Sequence, residues 1–227
     1  MHLCANKTIK VKKITYAFFI VLLAIACKNE ISKPRVFQPE LAKQLQAMAE
    51  LDQVAAYIPQ GNYKEWTKEK WNRFKDSIFT THERMVKNMF TTYGYLGFDL
   101  VGEEGESNFW VMVQHCDHDP VFQKNVLEAL AKEVQKKNAK PSHLALLTDR
   151  VNINTGKNQI YGTQMNYREN GQAYAFNLQD SLTVDQRRAA LNMEPLKEYL
   201  NRMTLGHFEM NKQYFVSQGI TKPNLYQ

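Results

Sequence analysis

The chain has 227 residues, 44% of them hydrophobic and 11% aromatic, with 29 basic against 23 acidic side chains. This is ordinary globular composition, enough for one packed core, and it holds no internal repeat or low-complexity block. The net charge of +6 invites a nucleic-acid reading, which the position of the lysines removes.

Residues 1–13 hold Lys7, Lys10, Lys12 and Lys13 and no acid, and Ile14 to Ala26 run apolar apart from Thr15 and the hydroxyl of Tyr16. This is the charged start and apolar run of a secretory signal. As a helix the run would be about 20 Å long, short of the roughly 30 Å of a hydrocarbon core. It ends Leu23-Ala24-Ile25-Ala26-Cys27, which resembles the box read by the lipoprotein-processing peptidase. Residues 1–26 are therefore expected to leave, with Cys27 lipidated (a palmitate-type anchor) and residues 27–38 serving as a polar tether. The expected location is the cell envelope, at the outer membrane of a Gram-negative bacterium. Without the four signal lysines 25 basic side chains face 23 acidic ones, a net +2, so no nucleic-acid partner is predicted. Cys4 leaves with the signal and Cys27 carries lipid. Cys116 is then alone, no intramolecular disulfide forms, and the core must supply the stability.

Pro39 and Glu40 open a helical pattern with Leu41, Leu45, Met48, Leu51 or Asp52, Ala55 and Ile58 on one stripe, stopped by Pro59. Thr67 starts a second helical segment, long enough for one helix or two, with Gly94 as its stop. Residues 97–105 read as a glycine- and acid-rich loop. Ser107 then caps a central, buried helix beginning Phe109-Trp110-Val111-Met112-Val113. Asp119-Pro120 starts a helix running to about Lys137, and Ser142 caps another over 143–151. The runs 159–165 and 172–178, separated by Arg168-Glu169-Asn170-Gly171, predict a β-hairpin. Thr183 with Gln186 forms a capping box, and 195–203 supplies a last helix. The expected fold is mainly α with one β-hairpin, a single compact domain over 39–203, followed by an extension at 204–227.

The blocks Leu100-Val101-Gly102-Glu103-Glu104-Gly105, Trp110 to Gln114-His115, Asp117, Asp119-Pro120 and Phe122-Gln123 resemble a bacterial family, domain of unknown function 6624. The likeness continues through Leu147-Thr148-Asp149-Arg150-Val151, Gln159, Tyr161-Gly162-Thr163-Gln164 and Arg187-Arg188, and the stretch Glu50 to Gln53 is similar to the family's acidic start. The resemblance spans roughly residues 40 to 203. It implies the domain boundaries and no activity.

On a helical wheel Phe109, Val113 and Cys116 share one direction, while Gln114, His115 and His118 project opposite. An imidazole beside a carboxylate is held in one tautomer, as a general base or metal ligand requires. The candidate catalytic group is accordingly His115, Asp117, Asp149 and Arg150, with Asp119, Gln123, Tyr161 and Gln164 as ligand-binding residues. His115, His118 and Asp119 are the one set that would offer metal ligands. No recognised zinc spacing accompanies them, so no metal and no cofactor are predicted. Bland readings compete: Asp119 as an N-cap, Asp117 as solvent-facing, Asp149-Arg150 as an ion pair or as a helix-end contact organising the hairpin, and Cys116 as buried and inert. Two functions stay open. One is a ligand- or partner-binding domain; the other is a hydrolase-like enzyme in which His115 is the base, Asp117 or Asp119 orients it, and Arg150 holds an anionic group.

Overall fold

Helix α1 (Pro39–Ala56) starts on a proline whose missing N–H is one the first turn does not need. The computed structural model describes residues 35–227, which form one compact unit; the signal, Cys27 and most of the tether lie outside them. Leu41, Leu45, Met48, Ala49, Asp52 and Ala55 make the buried stripe of α1. The helix closes before Pro59, so Ile58 lies beyond it and is 70% exposed. After a 3-10 turn at Gly61–Glu65, Thr67 caps α2 (Lys68–Tyr93) by accepting the Lys70 N–H at 3.2 Å. The second segment is thus a single helix, ending at Gly94.

Residues 97–105 depart from the expected loop. Gly97 is the cap and the rest belong to α3 (Phe98–Gln114), whose one non-helical residue, Gly102, stands at φ 74° and ψ 174°. Glycine takes that conformation without Cβ strain. The acids Glu103, Glu104 and Glu106 fall in the first turn after it, where a helix N-terminus favours negative charge. Ser107 therefore caps nothing; its hydroxyl donates to the Glu103 carbonyl at 2.8 Å within the helix. Asp119 does cap α4 (Pro120–Gln135), accepting from Phe122 N at 2.9 Å. Helix α5 (Pro141–Asn154) starts at a proline rather than at a Ser142 cap.

These five helices share the main core, with Leu45, Val86, Leu96, Phe109, Val113, Val126 and Leu130 each at 0% exposure. Cys116 joins it at 2% exposure, and burial pushes its thiol up to about 12. In a chain beginning at Lys28, labelling by a disulfide reagent at pH 8 is expected to be at least ~100-fold slower in the folded than in the urea-unfolded protein. Equal rates would show the thiol to be accessible.

Strands β1 (Met165–Tyr167) and β2 (Ala173–Ala175) pair antiparallel with Asn166 opposite Tyr174. The hairpin is where the Asn-Gly turn predicted it. Its ladder is shorter than the two sequence runs. Gln159 meets the second run only in a parallel bridge with Leu178, its N–H donating to Asn177 O at 2.8 Å and its carbonyl accepting from Gln179 N at 2.9 Å. Its side chain bonds the Gln164 main chain, Gln159 Nε2 to Gln164 O and Gln164 N to Gln159 Oε1, both at 2.8 Å. Helix α6 (Val184–Ala189) follows Thr183, whose hydroxyl bonds Asp180 instead of capping the helix. Helix α7 (Leu196–Met210) packs Tyr199 and Leu200 on Ala173 to make a second, smaller core. Beyond residue 203 the chain completes α7 and continues along the domain. It includes α8 (Lys212–Ser217), and Tyr226 donates to Ala173 O at 2.8 Å. Among the described residues no helix is long and apolar enough to cross a membrane.

Candidate functional site

Asp52 occupies a stripe position on α1 that apolar residues would otherwise fill, and it is 1% exposed. A buried carboxylate must be paired. Two imidazoles, from α2 and from the C-terminal end of α3, supply the partners. His115 Nδ1 lies 2.6 Å from Asp52 Oδ2 and His82 Nδ1 lies 3.6 Å from Oδ1. Both bring a ring nitrogen to a carboxylate oxygen without the alignment of a regular hydrogen bond. Burial acts to raise the Asp52 pKa, but the contacts with His115 and His82 outweigh it and hold the group below the usual carboxylate range.

Its contribution to stability is therefore present above the ordinary Asp value and is lost as pH falls through the lower folded value. The stability advantage of the native chain over Asp52→Asn is expected to shrink as acid unfolding is followed below about pH 4. An advantage that grows on acidification would sink this assignment.

His82 is 6% exposed, while the His115 side chain keeps 24% of its surface accessible. With Nδ1 turned to Asp52, His115 has Nε2 left for solvent or a ligand. The orienting acid is thus Asp52, not Asp117 or Asp119 as the local sequence suggested. Asp119 is taken by the α4 cap and by Lys87, 2.8 Å away. Asp117 receives Arg150 through Nε at 2.8 Å and through the second guanidinium nitrogen at 2.5 Å. Burial opposes ionisation of Asp117, yet Arg150, with Asn154 and Gln123, holds its pKa low. Arg150 is therefore charge-compensated and is no free anion clamp.

Gln123, at 0% exposure, donates to Val113 O at 3.1 Å, Gln114 O at 3.3 Å and Asp117 Oδ1 at 3.3 Å. It thereby serves the Gln114 carbonyl at the end of α3 and adds a second donor to the Val113 carbonyl, which already accepts from Cys116 N at 3.1 Å. Asn154 reaches both Asp117 and Gln123, at 2.8 and 3.1 Å. Gln164 Oε1 accepts from Arg150 at 3.4 Å. The fold thus brings Asp117, Gln123, Arg150 and Gln164 together in one network immediately after His115.

Asp149 stands apart from that network. It is fully buried, and its oxygens accept from Ile160 N, Tyr161 N, Thr163 N and Thr163 Oγ1 at 2.7 to 3.2 Å. It folds the loop before the hairpin and forms no ion pair with Arg150, its neighbour in sequence. Tyr161 lies in that loop, half-buried, with its N–H on Asp149 and its carbonyl on Arg188 at 2.9 Å. His118 is exposed and does not join His115. Among the described residues no three His, Cys, Asp or Glu side chains are placed to hold a metal ion.

Residue-type reasoning around 114–119 missed His82 altogether and did not connect Asp52 to His115. The signal for both is a polar residue at a core position of an amphipathic helix.

A model of a family of unknown function, DUF6624, matches residues 39–208. No curated protein and no solved structure matches the chain. The match covers most of the chain, which belongs to that family.

Proposed function

We propose that this member of the DUF6624 family is an exported lipoprotein, anchored to the cell envelope by lipid on Cys27, whose domain binds a small ligand at His115. The observation that carries the binding reading is the buried Asp52 carboxylate between His82 and His115. Such an arrangement spends stability to fix the orientation of an imidazole whose other nitrogen faces outward. In the adjoining network Asp117 and Arg150 neutralise each other, so it offers no free charge.

A thermal-shift screen of small carboxylates, phosphates, sugars and amines tests it. At least one stabilising compound should lose its effect in His115→Asn and keep it in His118→Ala. Hits indifferent to His115→Asn would end the proposal.

The Asp52–His115 contact also favours a second reading, in which His115 acts as a general base in hydrolysis. Hydrolysis of p-nitrophenyl acetate or p-nitrophenyl phosphate above the buffer rate, abolished in His115→Asn, would support it. Equal rates in the two proteins would dismiss it.

The anchor rests on the sequence of residues 1–27. Radioactive palmitate is expected to label the native protein in bacterial cells and to leave Cys27→Ser unlabelled. Persistent labelling would place the lipid elsewhere.

A further inference from the structure

A second histidine is held by a buried acid on a different set of helix faces. Glu106 of α3 has 0% exposure; its Oε1 accepts the Tyr95 hydroxyl at 2.6 Å and faces His143 Nδ1 of α5 at 2.9 Å, while Oε2 is buried without a partner. The His143 ring lies flat on Trp110, with centroids 4.1 Å apart and planes 8° off parallel, and the indole N–H donates to the His143 carbonyl at 3.2 Å. The imidazole is therefore fixed in place. In the neutral imidazole with Nδ1–H directed to the carboxylate, Nε2 carries the lone pair, and it makes no hydrogen bond among the described residues.

His143 and Trp110 line a groove of about 530 Å³ between α1, α3 and α5, within the range of small-molecule sites. Gln46, Glu50, Gln53 and Asn108 form much of the remaining wall. Its polar groups are mixed: His143 Nε2 and the carboxylates of Glu50 and Glu104 accept, while the side-chain amides of Gln46, Gln53 and Asn108 both accept and donate. The one ammonium, Lys140, is drawn to Ser107 Oγ at 2.8 Å and offsets part of the acidic charge.

A complementary ligand carries groups that both donate and accept, as hydroxyls do, with little net charge and an apolar flank for the indole. We propose that this groove binds a neutral, hydroxyl-rich ligand of disaccharide size, with His143 Nε2 accepting from one of its hydroxyls. The proposal does not depend on what His115 does.

The full chain, purified in a detergent without sugar groups and labelled with nitrogen-15, is titrated separately with cellobiose, maltose and diacetylchitobiose. Putrescine serves as the amine comparison. The readout is the indole N–H signal assigned by Trp110→Phe. At least one disaccharide should shift that signal saturably with a millimolar Kd. His143→Gln should weaken binding about tenfold, the scale of one lost hydrogen bond. Asn108→Ala, on the rim, should weaken it about threefold without changing Tm, which keeps the test informative if His143→Gln folds poorly. The absence of a saturable shift from all three sugars overturns the proposal. So does a shift from putrescine alone, and so does sugar binding that both variants leave unaltered.

Discussion

Asp149→Ala is expected to lower unfolding stability by about 3–5 kcal/mol, the largest effect of any single polar substitution in the domain. The carboxylate has no solvent access, and it collects three main-chain N–H groups and one hydroxyl from residues 160–163. Its removal leaves those donors buried without acceptors, and each such loss costs about 1–3 kcal/mol, less what relaxation of the loop recovers. Asp149→Asn keeps one oxygen but turns an amide toward donors, so its cost should be somewhat smaller. Urea unfolding of both variants checks this. A loss under about 1 kcal/mol for the alanine variant would mean that other contacts hold the loop.

The second large effect is expected at the histidine pair. His115→Ala removes the closer partner of Asp52 and leaves a buried carboxylate facing only His82, 3.6 Å away. Breaking a buried pair on one side costs about 3–5 kcal/mol; the partial exposure of His115 reduces this to about 2–3 kcal/mol. Asp52→Asn removes the charge itself. The double variant should therefore be more stable than the sum of the single costs allows, by at least about 1 kcal/mol. Additive costs would show that Asp52 and His115 do not depend on each other.

Helix boundaries and the hairpin were legible because periodicity and turn chemistry are local. The Thr67 cap, the Asp119-Pro120 start and the Asn170-Gly171 turn each act within a few residues. Errors came where a local preference had two outlets. The acids at 103–106 suit a loop and also a helix N-terminus, and Gly102 supplied the break that decided for the helix. Thr183 has the spacing of a capping box, but Asp180 took its hydroxyl first.

The site was legible only in part, since its pairings are between helices. Of the residues grouped by type, the fold joins Asp117, Gln123, Arg150 and Gln164 in one network and gives Asp119, Asp149 and Tyr161 other partners. Asp52 sat in plain view at an apolar stripe position, and so did His82, four residues from both Ile78 and Val86 on α2. Periodicity can say that such a residue is buried. It cannot say which imidazole meets it.

The placement of Asp52 on α1 makes the histidine pair and the docking of that helix a single cooperative unit. His82 belongs to α2 and His115 to the end of α3, so any opening that lifts α1 uncovers both imidazoles at once and strands neither. Ligand occupancy at His115 and the opening of α1 are then linked, and a ligand that needs the closed pair should slow amide exchange along the whole of residues 41–55, not only beside Asp52.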